Sequence, residues 1–550
     1  MSTETETPAT PPAEPPDETR AEPTRRGRGL ARNTAIFSVA TGLSRIAGLV
    51  REVVASSYFG TSGAFSAFTI AFQVPNLVRS LFADAALSAA FVPVFMEHIA
   101  HNRKREAARL ASTLLFVMLA ALGAITALFI LFAGLIMPLF TGDKFTPELN
   151  DLTVGLSRVL FPIVLLLGIN GLVVGILNSY EHFTIPAIAP LVWNVVIVAM
   201  LVVLKPLFHG QNQMYAYAIG VLGGTLVQLL MSLPMLPRVG FHFEWAFAWR
   251  DPHVARVFRL MLPVTIGLGV INFDLLINSS LGTLVSEQAP RAIDAAFRVY
   301  MLPQGMFSVA LATVLFPTLS RFAAEHDLPG LRRTMASGAR QIYLLLIPAA
   351  VFTAVLATPI VRLVYQRGDF TAHSTDLVST ALFWFSFSLP FAGVNLLLTR
   401  TFFSLQRPWL PTALAVGNML IDLVVSVALY KPFGIAGLVL GTVAGNVGMT
   451  LGQTWRLRGL LEGSLEGRRT LTAIVQMLAA SALLGIVSYG VWWILDQAFG
   501  RSLPAQIVSV GAALAAGVGV YVAAVLAMGI PEARQIRTLV AGRFKRGGST

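Results

Sequence analysis

The sequence predicts an all-α integral membrane protein with about 14 transmembrane helices, and three observations support this fold class. First, 55% of the 550 residues are hydrophobic and only 12% are charged, whereas a soluble domain typically carries about 25% charged residues. Second, the mean hydropathy is +0.70. Third, the apolar residues form runs of about 20 residues, the length needed to cross a bilayer. This composition excludes a soluble enzyme, a disordered scaffold and a fibrous protein.

The order of apolar and polar stretches divides the chain into five parts. Residues 1–33 are rich in Pro, Glu and Thr and predict a disordered tail. The predicted spans are 34–58, 64–99, 110–140, 152–179, 184–205, 214–236, 257–284, 292–319, 341–365, 377–399, 409–430, 434–455, 471–495 and 503–529. They group into a first lobe (34–236), a second lobe (257–455) and a final pair (471–529), before a basic tail at 530–550.

Positive charge sets the orientation of these spans. Lys and Arg in the tails, in the loops and at the span ends number 28 on the side that holds both termini and six on the other side. Cytoplasmic loops of membrane proteins carry the excess of Lys and Arg, so we expect both termini in the cytoplasm. The formal net charge of +12 therefore reflects topology, and nucleic-acid binding is disfavoured.

An internal duplication relates the two predicted lobes. The loop segment Gly142-Asp143-Lys144-Phe145-Thr146 recurs as Arg367-Gly368-Asp369-Phe370-Thr371, with the phenylalanines 225 positions apart. Pro186 and Pro411 match at the same interval. Six spans per copy predict parallel repeats around a central cavity, the architecture of many alternating-access transporters. The alternative is a duplicated scaffold without transport.

Among the arginines inside predicted spans, Arg158 and Arg362 lie near span ends and are expected to extend to the interface. Four others are expected to face the protein interior: Arg45, Arg51, Arg79 and Arg298. A charge at mid-bilayer costs about 2.5–3.5 kcal/mol or more, so such residues usually face a cavity or a partner. Because arginine stays protonated and binds phosphate bidentately, the set predicts a cationic cavity for an anionic, phosphate-bearing substrate. The alternative is structural ion pairing, of Arg51 with Glu52 or of Arg79 with Asp84.

A second polar group offers oxygen ligands: Asp274, Asn418, Asp422 and Thr442. Such a set suits a hard cation such as Na⁺. The alternatives are a hydrogen-bonded contact between helices and a proton site on one of the two aspartates. Nearby small residues recur every four positions and predict close helix packing, namely Gly437, Gly441 and Gly445.

With these residues in view, the chain resembles the MurJ (MviN) lipid II flippases of the multidrug/oligosaccharidyl-lipid/polysaccharide exporter superfamily. The resemblance covers roughly residues 34–530. The two most specific matching segments are Ser44-Arg45-Ile46-Ala47-Gly48-Leu49-Val50-Arg51-Glu52 and Val74-Pro75-Asn76-Leu77-Val78-Arg79-Ser80-Leu81-Phe82-Ala83.

The resemblance implies fourteen helices, with a groove for the lipid tail formed by the last two. It implies a flippase rather than an enzyme, one that moves lipid II from the cytoplasmic to the outer leaflet of the bacterial cell membrane. The implied partners are lipid II, the phospholipid bilayer and cell-wall synthesis proteins. The family's cavity arginines fall on Arg45, Arg51, Arg79 and Arg298, and a sodium site of some members falls on Asp274, Asn418, Asp422 and Thr442.

The chain also departs from the family pattern. An acidic residue common after the first outer loop is replaced by Ser66, and acidic neighbours of Arg298 are replaced by Phe297 and Met301. We therefore expect Arg298 to be less neutralised. Two other functions stay open, namely another exporter of the superfamily and a membrane glycosyltransferase. Four cavity arginines argue against a cationic cargo, and outer loops of about a dozen residues argue against an outer catalytic domain.

Overall fold

The computed structural model describes residues 25–533 except 83, 84, 246, 249 and 464, and side chains from residue 40 onward except 41, 81–89, 263, 264, 267, 268 and 271. Within this part of the chain all regular structure is helical. The first helix begins at Arg25, inside the predicted tail, and residues 1–24 and 534–550 lie outside the described residues. Asp84, predicted as an ion-pair partner, also lies outside them.

The first lobe contains nine helices. They are α1 (Arg25–Phe59), α2 (Gly63–Phe82), α3 (Ala85–Ala100), α4 (Lys104–Ile136), α5 (Pro147–Leu160), α6 (Ile163–Ser179), α7 (Thr184–Leu204), α8 (Met214–Ser232) and the short α9 (Met235–Arg238).

The second lobe contains eight helices, and two more follow it. They are α10 (Pro252–Val285), α11 (Ala289–Pro303), α12 (Val309–Ala324), α13 (Leu328–Val355), α14 (Ala357–Tyr365), α15 (Ala372–Ser404), α16 (Trp409–Phe433), α17 (Ile435–Leu460), α18 (Gly467–Phe499) and α19 (Leu503–Ala527).

Helix length and composition agree with a protein that crosses the membrane many times. Eleven helical stretches among the described residues are long and apolar enough to span a bilayer, and each coincides with a predicted span. The remaining three predicted spans coincide with α1, with α2 and α3, and with α10, which all contain undescribed side chains. The eighth predicted span is divided: a π-helical turn, Gln304–Ser308, separates α11 from α12 directly after Pro303.

The duplication predicted from the sequence is present in the helices. Helices α5 and α7 start at Pro147 and Thr184, and α15 and α16 start 225 positions later at Ala372 and Trp409. Two buried apolar cores follow the same division, one built from the first lobe with part of α10 and the other from the second lobe with α18 and α19. The molecule therefore consists of two parallel-repeat lobes plus two C-terminal helices.

The lobes touch each other closely at one end of the bundle, where the loops at Gly60 and Asp369 meet. We call this the 60/369 end. The backbone N–H of Asp369 donates to the carbonyl of Ser57 at 2.8 Å, and the Thr61 hydroxyl donates to Ser374 at 2.8 Å. Gly60 has a φ of +55°, and a Cβ there would overlap the Asp369 carbonyl, so this close approach requires glycine.

Candidate functional site

A large cavity of the described structure lies mainly in the second lobe. It has a volume of about 640 Å³ and is walled by α10, α11, α15, α16 and α17, with Gln73 as the contribution of the first lobe. Its lining is largely apolar. The polar lining includes Asp274, Asn278, Asn395, Arg400, Asn418, Thr442 and Asn446. The lining does not include the four predicted arginines among the described residues, and a cationic cavity formed by all four stays a prediction.

Two of the predicted arginines instead meet in a compact group of five charged side chains beside the cavity. We call it the charge cluster; its members are Arg51, Glu52, Arg291, Asp294 and Arg298. Glu52 is at its centre, because its carboxylate lies 3.1 Å from Arg51, 3.1 Å from Arg291 and 3.3 Å from Arg298. Asp294 lies 2.8 Å from Arg291 and 3.0 Å from Arg298.

Helix periodicity explains how one short segment supplies three members of the cluster. Arg291, Asp294 and Arg298 are spaced by three and four residues on α11, so they share one face. Aromatic rings cover the group: the Arg51 guanidinium lies 4.8 Å from the Trp193 ring centre, and that of Arg291 lies 3.8 Å from the Phe65 ring centre. Both distances are within the range of cation–π attraction.

The cluster carries one surplus positive charge, from three guanidiniums and two carboxylates. Two of its N–H donors, Nε of Arg51 and Nε of Arg291, are buried without an acceptor among the described residues. The adjoining space is only about 30 Å³, roughly the volume of one water molecule. Asp294 and Gln73 line both this space and the large cavity, and the Arg298 side chain is 37% exposed. Arg298 is therefore the arginine of the cluster that an anion can reach most readily.

The other two predicted arginines are elsewhere. Arg79 is half-buried on α2 and donates to the side-chain carbonyl of Asn76 at 2.8 Å, while Asn76 donates to Asn272 across the lobes at 3.0 Å. Arg45 is exposed on α1, six residues before Arg51 and so about 9 Å away along the helix. The structure brings neither into the charge cluster, and their role in substrate binding stays a prediction.

Arg298, which the sequence predicts to be less neutralised, has two acidic partners in the structure. Its helix neighbours Phe297 and Met301 are uncharged, but Asp294, one helical turn earlier, and Glu52 of the first lobe both pair with it. Sequence reasoning missed Asp294 and counted Arg291 as a charge of the outer surface. The spacing of Arg291, Asp294 and Arg298 was the signal that could have identified them.

The predicted oxygen group is partly assembled. Asp422 is buried and accepts hydrogen bonds from Asn278 at 2.9 Å, Ser426 at 2.9 Å and Thr442 at 3.1 Å. These contacts join α10, α16 and α17, so the alternative of a hydrogen-bonded helix contact is realised in the structure. Asp274 lines the cavity beside this group.

One atom of the group fits a cation ligand. The Oδ1 atom of Asn418 is buried and has no hydrogen-bond donor within the described structure, and Asn418, Asp274 and Thr442 line the same cavity. Carboxylate, amide and hydroxyl oxygens are the donors that a hard cation prefers. The residues present therefore fit Na⁺.

Close helix packing positions this group, as the small residues of α17 predicted. A Cβ at Gly441 would overlap Ser426 and Asp422, and a Cβ at Gly445 would overlap Asn418. Both glycines therefore let α17 approach α16 closely enough for Thr442 to reach Asp422.

With this geometry established, the sequence was compared with known proteins. Residues 55–533 match the family described as lipid II flippase MurJ. The chain belongs to this family. The protein of Burkholderia cenocepacia named lipid II flippase MurJ is 31% identical over 412 residues, which cover 73% of this chain and 78% of that protein. A probable lipid II flippase MurJ of Rhizobium meliloti is 28% identical over 531 residues, which cover 94% of this chain and 97% of that protein.

Solved structures agree in fold. A lipid II flippase MurJ in an inward closed conformation is similar with a TM-score of 0.74 and 21% identity, over 89% of this chain and 98% of that one. An inward-facing multidrug resistance MATE transporter of the MOP superfamily has a TM-score of 0.64 and 16% identity, over 76% and 96% of the two chains. The fold of this chain is thus that of these two proteins.

Proposed function

We propose that this protein is a lipid II flippase that moves the undecaprenyl-pyrophosphate-linked peptidoglycan precursor from the cytoplasmic to the outer leaflet by alternating access. The observation that carries the proposal is a buried cluster with one surplus guanidinium, beside a large cavity, in a chain of the MurJ family. The substrate crosses without chemical change, so no catalytic residue is required.

The orientation follows from the positive charges. With both termini in the cytoplasm, α1 runs outward and the 60/369 end faces the outer side of the bacterial cell membrane. Contact between the lobes at that end closes the outer route, and the cavity is then loaded from the cytoplasmic side. Rocking of the two lobes around the cavity exposes it to the opposite side.

The charge cluster supplies the substrate contact in this mechanism. Guanidinium groups bind phosphate oxygens bidentately, and Arg298 is the cluster member nearest to open space. Arg51 adds a buried Nε–H donor that has no acceptor among the described residues. Between transport cycles Glu52 and Asp294 pair with the guanidiniums, which avoids the cost of an unpaired buried charge. Amide side chains such as Asn395 and Asn446 line the cavity and can bond the sugar–peptide head, while the prenyl tail stays in lipid.

Complementation of a flippase-depleted strain tests this proposal. We expect Arg51→Ala and Arg298→Ala to abolish growth and to prevent lipid II from becoming accessible on the outer face. The matched control is Arg158→Ala, because Arg158 is exposed and donates only to the Ile130 carbonyl of its own lobe. Normal growth and normal lipid II accessibility in both cluster variants would overturn the proposal.

A sodium ion bound by Asp274, Asn418, Asp422 and Thr442 would couple the cycle to an ion gradient. Such an ion supplies a positive charge whose movement through 100 mV is worth about 2.3 kcal/mol. We expect Na⁺, but not K⁺, to raise the melting temperature of the wild-type protein and to leave that of Asp422→Ala unchanged. Asp143→Ala, in an exposed loop, is the control and keeps the response. Equal responses of wild type and Asp422→Ala would exclude the site.

A further inference from the structure

Arg291 makes the most extensive charged contact between the lobes at the 60/369 end. It starts from α11 in the second lobe, and its guanidinium reaches Glu52 at 3.1 Å and Ser56 at 2.8 Å, both on α1. Its ring partner Phe65 and the Ser66 hydroxyl, which accepts from the Arg291 backbone N–H at 3.3 Å, both belong to α2. The side chain is 1% exposed.

We infer that Arg291 is a positioning residue that locks the two lobes together at the 60/369 end, and that the pyrophosphate of the substrate releases the lock. The second half of this inference rests on the proposed function.

The Arg291–Glu52 ion pair can hold the two lobes together because it is buried. The Ser57–Asp369 and Thr61–Ser374 bonds at this end are hydrogen bonds that do not pair two charged groups, and water can replace them at little cost. The Arg291–Glu52 pair is different, because separating it removes a buried guanidinium from one of its two carboxylate partners and leaves the second lobe with one positive charge in excess, which is costly in a buried site. Outward opening must draw α11 away from α1 and α2, so it must break this pair.

The release follows from charge balance within each lobe. The first lobe contributes Arg51 and Glu52 to the cluster, which balance each other when the lobes separate. The second lobe contributes Arg291, Asp294 and Arg298, which leave one positive charge without a partner. An anionic headgroup held by Arg298 supplies the missing negative charge, so the second lobe no longer needs Glu52. Opening is then favourable with cargo and costly without it.

Because the chain contains no cysteine, the opening can be measured on a clean background. In the double variant Thr61→Cys/Ser374→Cys the two new thiols replace hydroxyls that are 2.8 Å apart. Kept reduced, the thiols are protected when the end is closed, and they react with maleimide when it opens. The measurement is the maleimide labelling rate of the purified protein, with and without undecaprenyl pyrophosphate.

With Arg291 present, we expect slow labelling that undecaprenyl pyrophosphate accelerates about tenfold, the size of a typical coupling between two sites. Arg291→Gln removes the surplus charge of the second lobe and should label rapidly with or without the lipid. Arg291→Lys keeps the charge and should restore the lipid response, which a purely structural role would not predict. Arg158→Gln is the control and should behave as the parent protein.

A second variant, which changes the charge of the second lobe in the opposite direction, keeps the test decisive if Arg291→Gln folds poorly. Asp294→Asn raises the excess positive charge of the second lobe, so the maleimide labelling of this variant without lipid should be slower than that of the parent. Slow labelling of folded Arg291→Gln, or fast labelling of Asp294→Asn, overturns the lock. If Arg291→Gln labels rapidly but the lipid affects no variant, the lock stands and release by pyrophosphate is wrong, which separates this inference from the proposed function.

Discussion

Glu52 is the residue on which the charge cluster depends, because three guanidiniums share its carboxylate and it is buried. Glu52→Gln removes the negative charge while keeping the shape. Removing one partner of a buried ion pair costs about 3–5 kcal/mol, so we expect a clear fall in melting temperature. The control is Glu97→Gln, whose pair with Arg256 at 2.8 Å is half-exposed and should not change stability measurably. Equal melting temperatures of the two variants would contradict the central role of Glu52.

At the residue scale, the sequence identifies the charged residues inside spans, because a charge in lipid is costly. It does not identify the partners with which they form ion pairs. Arg51 and Arg298 were identifiable because each interrupts an apolar run. Arg291 and Asp294 lie at the edge of the predicted span 292–319, where a charge normally reaches water. Their burial depends on how the second lobe docks against α1 and α2, and this docking is a tertiary property that no local pattern contains.

Among the helices, the contact between α16 and α17 is the one most sensitive to a single added methyl group. Gly441→Ala would place its Cβ against the Asp422 backbone carbonyl, so the helices must separate and the Asp422–Thr442 bond must lengthen. We expect lower stability and, if Na⁺ binds there, a weaker Na⁺-dependent rise in melting temperature.

The control for this variant lies on the same helix. Gly459→Ala meets open space and should be neutral or stabilising by up to about 1 kcal/mol, because alanine is the better helix former. If Gly441→Ala melts like Gly459→Ala and keeps the same Na⁺ response, the packing argument fails.

Helix positions are the best-predicted property at the element scale, since long apolar runs constrain the spans strongly. All eleven spanning stretches of the described residues were predicted. The π-helical turn at Gln304–Ser308 was not predicted. A proline at the preceding position only permits a break in the helix. The packing of the surrounding helices decides whether this break becomes a bend, a kink or a π-helical turn.

For the whole molecule, the duplication predicted two lobes but not the position of the main cavity. Repeats constrain backbone topology, whereas the volume of a cavity depends on which side chains fill each lobe. In the first lobe, aromatic side chains such as Phe65, Phe68 and Tyr217 pack against one another. In the second lobe, a cavity of about 640 Å³ stays open, although aromatic side chains such as Phe297 and Phe385 also line it. The symmetry of the fold is therefore broken by side chains.

One buried arginine contributes to the attachment of the last two helices to the second lobe, and its contribution can be tested. Arg340 on α13 pairs with Glu532, just after α19, at 2.5 Å and with Glu466, just before α18, at 2.8 Å. Glu466 also lies 3.7 Å from Arg469, whereas Glu532 is buried, so Arg340→Gln takes the arginine partner away from a buried carboxylate. We expect the stabilising free energy of this contact to fall by roughly 3 kcal/mol. The main consequence should be that the α18–α19 pair separates more often from the second lobe.

Trypsin provides the measurement, because Arg468 and Arg469 lie in the first turn of α18 and are reached once that turn frays. Cleavage at this site should be several-fold faster in Arg340→Gln than in the parent protein. Arg333→Gln is the matched control on the same helix, since Arg333 is exposed and bonds only the Pro329 carbonyl of its own helix. If the two variants are cleaved at the same rate, apolar packing alone holds the pair in place. If only Arg340→Gln is cleaved faster, the groove predicted for the lipid tail depends on a charge contact at the end of the pair where α18 begins and α19 ends.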